Sequence, residues 1–414
     1  MTVALRRRRP PAATSWTGLP LDHLDPDVER PFWISVAMLP GVGPATIARL
    51  VADAGSLRAA WLGGLVDRAV AELPGHQRQA AAAFLAYLRA RGLRRHAAEI
   101  LAQGRRLGIR AITALEADYP PALGHLDLRP PVLWAAGDEA AWQTTGVAVV
   151  GTRRPTGYGR AAAEEIGDEL ARARVTVVSG LAIGIDAAAH RAAIAAGGRT
   201  IAVLPSPIDR LYPPIHRELA RQIVSTGGAL LSELSPGRRH GRPDFARRNR
   251  VIAGLGEAVV VVEAPDGSGA LLTADAAVGL GRELFAVPGP MDAATSRGTN
   301  RLIADHAATL VTSPAGLLNL IGLRRGGHPV SIRAMSEAEG IVLKTILNRS
   351  GSIEELRDRT KLATSPLAAA LTMLEARGLV TAYAGATFHA TPAARRSGWG
   401  RRAPEHDDRA AASA

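Results

Sequence analysis

Between residues 146 and 312 short apolar runs rich in β-branched residues alternate with helical stretches. The runs fall at 146–150, 175–179, 200–204, 229–232, 258–263 and 283–287, and the gaps hold helix-like segments near 158–173, 186–196, 214–225, 244–255 and 270–281. A strand that is apolar along its whole length is buried on both faces, and helices between such strands supply the cover. The pattern therefore predicts an α/β fold, a Rossmann-like parallel sheet with helices on both sides. In such sheets ligands bind beyond the carboxyl ends of the strands, where the strand order reverses.

The flanking segments read differently. Residues 1–30, with Arg6 to Arg9 followed by Pro10 and Pro11, read as a basic tail without fixed structure, because no apolar stretch follows the charges as a signal peptide requires. Residues 31–115 read as a small helical domain. In it, Gly41-Val42-Gly43-Pro44 before a helix resembles a helix-hairpin-helix turn, whose amides can face a phosphate or can simply join two packed helices. The α/β domain is assigned to 116–313 and begins with a proline-marked connector, and 314–335 reads as a linker. Over 336–390 two capping boxes, Ser336-x-x-Glu339 and Ser352-x-x-Glu355, each open a helix. Ser365 and Pro366 open a third, Gly378 closes it, and a hairpin follows, which together suggest a winged-helix-like domain. The tail 391–414 is again rich in Arg, Ala and Gly.

Charge points to the partner class. The chain has a formal charge of +12, yet 336–390 is neutral, whereas Arg238 to Arg250 holds six arginines against Asp244. A concentrated basic patch on a near-neutral body suits a phosphate polymer, although a solvated loop gives the same count. The chain has no cysteine, which excludes disulfides and thiolate metal sites and accords with a reducing, cytoplasmic setting. No run approaches the ~18 apolar residues of a membrane helix, so no membrane partner is expected.

Three strand ends carry the motifs. The first is Gly151-Thr152-Arg153, then Tyr158-Gly159: a glycine-rich turn between strand and helix, where amides, the helix dipole and Arg153 together make an anion cradle. Neither the dinucleotide fingerprint nor the Walker sequence is present. The second is Ser179-Gly180-Leu181-Ala182, leading into Asp186 and His190. Those two lie one helical turn apart, too few ligands for a metal, and a structural hydrogen bond is the expected role of His190. The third comprises Phe245-Ala246-Arg247-Arg248-Asn249-Arg250 and the small-residue loop at Ser268. Guanidiniums beside an aromatic ring suit single strands, the cations holding phosphates while the ring stacks on any base. No nucleophile–base pair and no acid–base carboxylate pair emerges, so neither catalysis nor a cofactor is expected.

These motifs, in this order, closely resemble the DNA-processing protein A (DprA/Smf) family. The matching pieces continue with Asp209-x-x-Tyr212-Pro213, Arg248-Asn249-Arg250-Val251-Ile252-Ala253-Gly254, Val287-Pro288-Gly289 and Gly298-Thr299-Asn300, and cover about 140–312. The resemblance implies a protein that binds single-stranded DNA, self-associates as a homodimer, and delivers DNA to a RecA-type recombinase in natural transformation. It implies DNA contacts at Gly151, Thr152, Arg153, Phe245, Arg248 and Arg250; the motif reading adds Ser179, Gly180, Arg247, Asn249 and Ser268. The chain departs from the family at Pro205-Ser206-Pro207, where glycines are usual, and at His216, Ala246, Gly256 and Ala270. The rival readings are a nucleotide or small-molecule sensor, which needs a closed pocket, and a nucleoside-phosphate hydrolase, which needs a catalytic glutamate after a glycine-rich loop. The 336–390 segment is expected to contact protein rather than DNA, since its third helix offers mainly alanines, Thr372 and Glu375 outward.

Overall fold

The computed structural model describes residues 21–124, 126–322, 335–377, 379–383 and 387–390, together with Trp16, Leu19 and Ala394. They form two compact units, one up to Val311 and one from Thr312.

The first unit opens with six helices: α1 (Pro26–Ala37), α2 (Pro44–Ala54), α3 (Leu57–Leu62), α4 (Leu65–Ala71), α5 (Gly75–Arg91) and α6 (Leu93–Arg106). The Asp25 carboxylate caps α1 by accepting from the Asp27 amide, with Pro26 at the first helical position. Helix therefore begins inside the stretch 1–30 read from sequence as a tail. Gly43 and Pro44 open α2, and Gly55 closes it in the left-handed conformation. Trp33, Ile47, Leu57 and Leu88 are fully buried at the centre of this region, each contributing about 1.5–3 kcal/mol through apolar burial.

Two strands follow, β1 (Arg110–Thr113) and β2 (Val132–Gly137), separated by an irregular connector with a single 3-10 turn at Pro121–Leu123. The α/β succession is then β3 (Gly146–Val150), α7 (Gly157–Arg172), β4 (Thr176–Ser179), α8 (Ile185–Ala195), β5 (Thr200–Leu204), α9 (Arg217–Ser225), β6 (Ala229–Ser232), α10 (Arg242–Leu255), β7 (Gly256–Val261), α11 (Gly269–Gly279), β8 (Glu283–Ala286), α12 (Arg297–Ala304) and β9 (Thr309–Leu310). These strands join one sheet in the order β1-β2-β6-β5-β4-β3-β7-β8-β9. All neighbours from β6 to β9 are parallel, as the apolar runs predict. The edge pair is new: β2 runs antiparallel to β6, and β1 antiparallel to β2. Strand order reverses between β3 and β7, which makes their carboxyl ends the switch point.

Helices α7 and α8, which carry the first two strand-end motifs, pack together through Gly167. A Cβ at Gly167 would lie 2.7 Å from the Ala189 carbonyl oxygen.

The second unit holds α13 (Pro314–Leu320), α14 (Glu337–Asn348), β10 (Gly351–Ser352), α15 (Ile353–Thr360), α16 (Thr364–Ala376), β11 (Val380–Tyr383) and β12 (Thr387–Ala390). Ser313 caps α13 by accepting from the Gly316 amide, so the start of the stretch 314–335 read as a linker is helical, while 323–334 lie outside the described residues. Both capping boxes form as read, Ser336 with Glu339 and Ser352 with Glu355. Helix α16 starts one residue before Ser365, from Ala363 without a side-chain cap. Leu343, Ile346, Leu356, Leu367 and Leu374 close the core beside a three-stranded antiparallel sheet ordered β10-β12-β11. Gly378, the hairpin turn 384–386 and most of the tails 1–15 and 391–414 lie outside the described residues. Among those described, no helix is long and apolar enough to cross a membrane.

Gly167 gives a direct check on the α7–α8 contact. Alanine would gain about 1 kcal/mol of helix propensity, but overpacking against rigid backbone costs typically ~1–3 kcal/mol or more. The expected net result is a lower melting temperature for Gly167→Ala in a thermal unfolding scan; a rise would show that the helices separate freely.

Candidate functional site

The turns after β3, β4 and β7 meet at the switch point and lock together through backbone. The Thr152 amide donates to the Glu263 carbonyl at 2.7 Å, and the Ile185 amide donates to the Thr152 carbonyl at 3.2 Å. The fit leaves no room for side chains at two glycines. A Cβ on Gly151 would meet Ile185 Cγ1 at 2.6 Å and the Glu263 carbonyl at 2.9 Å; one on Gly184, at φ +93°, would meet the Thr152 carbonyl at 2.4 Å. The Glu263 carboxylate then pins the far side of the loop by accepting from the Thr156 amide at 2.9 Å and its hydroxyl at 3.3 Å. Thr156 in turn caps α7 by accepting from the Gly159 amide. Glu263 is buried.

Beneath the β4 turn lies a buried charge pair. Asp186 accepts from the Gly180 and Ala182 amides at 3.0 and 3.3 Å. Burial pushes its carboxyl up, and Arg248 opposes that shift. Arg248, only 7% exposed, donates from Nη1 to the Gly180 carbonyl at 2.7 Å and the Val203 carbonyl at 2.5 Å. Its guanidinium fills the space where a Gly180 side chain would stand. Burial pulls the Arg248 pKa down to about 10, so the group remains a cation at neutral pH. The Ser179 hydroxyl is turned inward and donates to the Val149 carbonyl at 2.6 Å.

His190 is structural, as read. The Thr200 hydroxyl donates to the Val177 carbonyl and is 2.6 Å from His190 Nδ1, so Nδ1 carries the proton and donates to that hydroxyl. Burial, with further push from His216 and Arg248, holds the His190 pKa down at about 3. His216, standing where asparagine is usual, is also buried and donates from Nδ1 to the Leu181 carbonyl at 2.8 Å.

Above this floor is an open cleft lined by Arg153, Gly180, Ala182, Ile183, Pro205, Tyr212, Pro213, Phe245 and Arg248. The Arg153 guanidinium lies over the Phe245 ring at 5.7 Å. Phe245 meets Tyr212 edge to face at 5.6 Å, and His240 packs at 5.3 Å from Tyr212 and 6.2 Å from Phe245. Arg153, Ile183 and Tyr212 are exposed. The Pro205-Ser206-Pro207 loop brings a proline ring rather than a bare backbone to the cleft, and Ser206 holds it by accepting from the Tyr212 amide at 3.0 Å.

The residues singled out from sequence thus divide. Arg153, Gly180, Phe245 and Arg248 line one cleft, and Gly151 and Thr152 shape its loop. Arg247 is exposed, paired loosely with Asp244 at 3.7 Å, and lines an adjoining depression. Arg250 does not reach the cleft surface: it donates to the Leu128 carbonyl at 2.5 Å and is ion-paired with Glu233, largely buried. Asn249 donates to the Gly269 carbonyl at 3.2 Å, and Ser268 caps α11. Ile183 and His240 were given no role from sequence; Ala182, Tyr212 and Pro213 stood in quoted motifs without a role, and Pro205 only as a departure from the family.

Residues 110–322 match the family model described as DNA recombination-mediator protein A. Protein Smf of Synechocystis sp. is 34% identical over 296 residues, 70% of this chain and 73% of that one. DNA processing protein DprA of Bacillus subtilis is 38% identical over 212 residues, 51% of this chain and 71% of that one. The X-ray structure of DNA processing protein A from Streptococcus pneumoniae aligns with a TM-score of 0.60 at 29% identity, covering 70% of this chain and 97% of that one.

The depressed His190 pKa sets a pH window. Folded His190 stays neutral down to about 3, whereas an unfolded histidine takes a proton below about 6.5. Its contribution is therefore fully present above pH ~6.5 and is lost as pH falls from there. Between pH 6.5 and 5 the loss is expected to be about 1–2 kcal/mol, read as a falling melting temperature that is shallower in His190→Gln.

Proposed function

The chain belongs to the DNA recombination-mediator protein A family, and from that premise we propose that its switch-point cleft binds single-stranded DNA for delivery to a RecA-type recombinase in natural transformation. The observation that carries this reading is the exposed Arg153 guanidinium stacked on Phe245, with Tyr212 beside it. A cation meets the phosphate while the rings offer faces to unpaired bases, worth about 1–3 kcal/mol per stacked base regardless of sequence. In a duplex those faces are already stacked within the helix. None of the nine lining residues carries a carboxylate or a nucleophilic hydroxyl other than the Tyr212 phenol, so the cleft is a binding site and no chemical step is assigned to it. DNA and recombinase would both be met in the cytoplasm.

Arg250 serves this site indirectly. Paired with Glu233, it fixes α10 and thereby Phe245 and Arg247, rather than touching the strand. Arg153→Ala is expected to weaken single-strand binding and to reduce the slope of log affinity against log salt by about 0.7, one phosphate's share. Phe245→Ala should cost about 1–3 kcal/mol at any salt. Arg250→Ala should lower thermal stability before it lowers affinity. Fluorescence anisotropy with a labelled oligonucleotide across a salt series reads the first two; unchanged binding in both would reject the site.

A single cleft grips few nucleotides, so a second copy on the same strand would add avidity without new contacts. A homodimer is accordingly expected, and light scattering at micromolar concentration should show twice the chain mass; monomer alone would reject it.

A further inference from the structure

We propose that a single strand leaving the cleft crosses the β3 turn and stacks a base on Tyr158, a second ring platform on the far side of that turn; the inference rests on the reading of the cleft as a single-strand site. Tyr158 lies in the first turn of α7. Its ring is 52% exposed, although its hydroxyl donates to the Pro288 carbonyl at 2.9 Å. Pro288 follows β8, whereas the cleft takes Ala182 and Pro205 from the loops after β4 and β5. In the sheet order β5-β4-β3-β7-β8 the two therefore lie on opposite sides of the β3 turn. Neighbouring strands are about 4.8 Å apart, so β4 and β7 stand about 10 Å from each other, a distance that a short stretch of single strand spans.

The ring is held as a stacking platform must be. The loop under its hydroxyl is clamped, because the Asn300 side chain donates to the Gly289 carbonyl at 3.0 Å and accepts from the Gly289 amide at 3.1 Å. Tyr158 thus offers a flat face whose orientation is already fixed, and little freedom is lost when a base lies on it. Between the two platforms the turn carries Arg153 and Arg154, both exposed. The Arg154 amide donates to the Thr152 hydroxyl at 3.2 Å, which fixes the backbone that bears them. Rings, then paired cations, then another ring match the bases and phosphates of a strand laid across the turn. The carboxylates beside this track are withdrawn from it. Glu263 is buried against Thr156, and Asp266 is paired with Arg301 at 2.8 Å. Farther along the β8 loop Asp292 is exposed; its charge turns phosphates away and marks the far end of the track.

The test uses the full-length protein. A thymidine strand with 5-iodouracil at successive positions is irradiated on the protein, and the attached residues are read by mass spectrometry. Adducts are expected at Tyr212 or Phe245 from one position, and at Tyr158 from another position on the same strand. Because the probe lies in the ligand, this arm does not depend on any variant folding. Binding is then measured for strands of about 4 thymidines, enough for the cleft alone, and about 20, beyond the ~16 nucleotides that one single-strand fold covers. Tyr158→Ala should weaken the long strand at least about 5-fold, the loss of one stacked base, and leave the short one unchanged. Tyr158→Phe keeps the ring and drops the bond to Pro288, and should bind the long strand close to wild type. Adducts in the cleft alone would overturn the proposal, as would equal weakening of both strands by Tyr158→Ala or full binding of the long strand by that variant. Adducts at neither place would instead overturn the single-strand reading of the cleft itself.

Discussion

The Arg248 guanidinium is the tie on which the site depends. It sits under the β4 turn, bonded to the carbonyl of Gly180 just after β4 and to that of Val203 within β5, with the buried Asp186 carboxylate as its nearby counter-charge. Taking a cation and an anion out of water costs several kcal/mol each, and their attraction offsets this only when remaining polar groups are also satisfied. Asp186 meets that condition with two amides, whereas Arg248 holds two carbonyls through Nη1 and keeps a buried Nε without a partner. Gly180 is required for the same reason: any side chain there would occupy the volume of the guanidinium. The whole rim is built from such exclusions. Loop touches loop through backbone at Gly151 and Gly184, and the carboxylate of Glu263 closes the space against Gly159. The exposed residues that meet a ligand are thereby carried on a base with little freedom to adjust.

Much of this architecture was legible in the chain. The six parallel strands from β3 to β8 stand out because a strand buried on both faces must be apolar throughout. The strand-end loops followed from glycine spacing. The edge strands were not legible. Residues 110–113 are too few to show a period, and β2 follows Pro130 and Pro131, which read as loop. Their place is set by pairing with β6, nearly a hundred residues on.

The arginine cluster shows a second limit. Six arginines between Arg238 and Arg250 read as a single basic strip. In the fold, Arg238 donates to the Met38 carbonyl in the helical region, Arg248 lies beneath the cleft, and Arg250 pairs with Glu233. Three of the six therefore have partners within the fold itself. Counting charge cannot separate them, because their partners are carbonyls and a carboxylate distant in sequence. Phe245 was recognisable by its company, but Tyr212 and His240 were not, since each reaches the ring cluster from a separate loop.

The edge pair of strands has a mechanical meaning. One face of β1 and β2, through Ala111, Val132 and Trp134, packs into the same apolar core as Trp33, Ile47 and Leu57 of the helices. The other face, through Ile112, Leu133 and Ala135, belongs to the core of the α/β sheet. Two ribbon-thin strands are thus the shared wall of two interiors. Loss of either interior would expose the apolar side chains of that wall to water. The helical region and the sheet are therefore expected to unfold together.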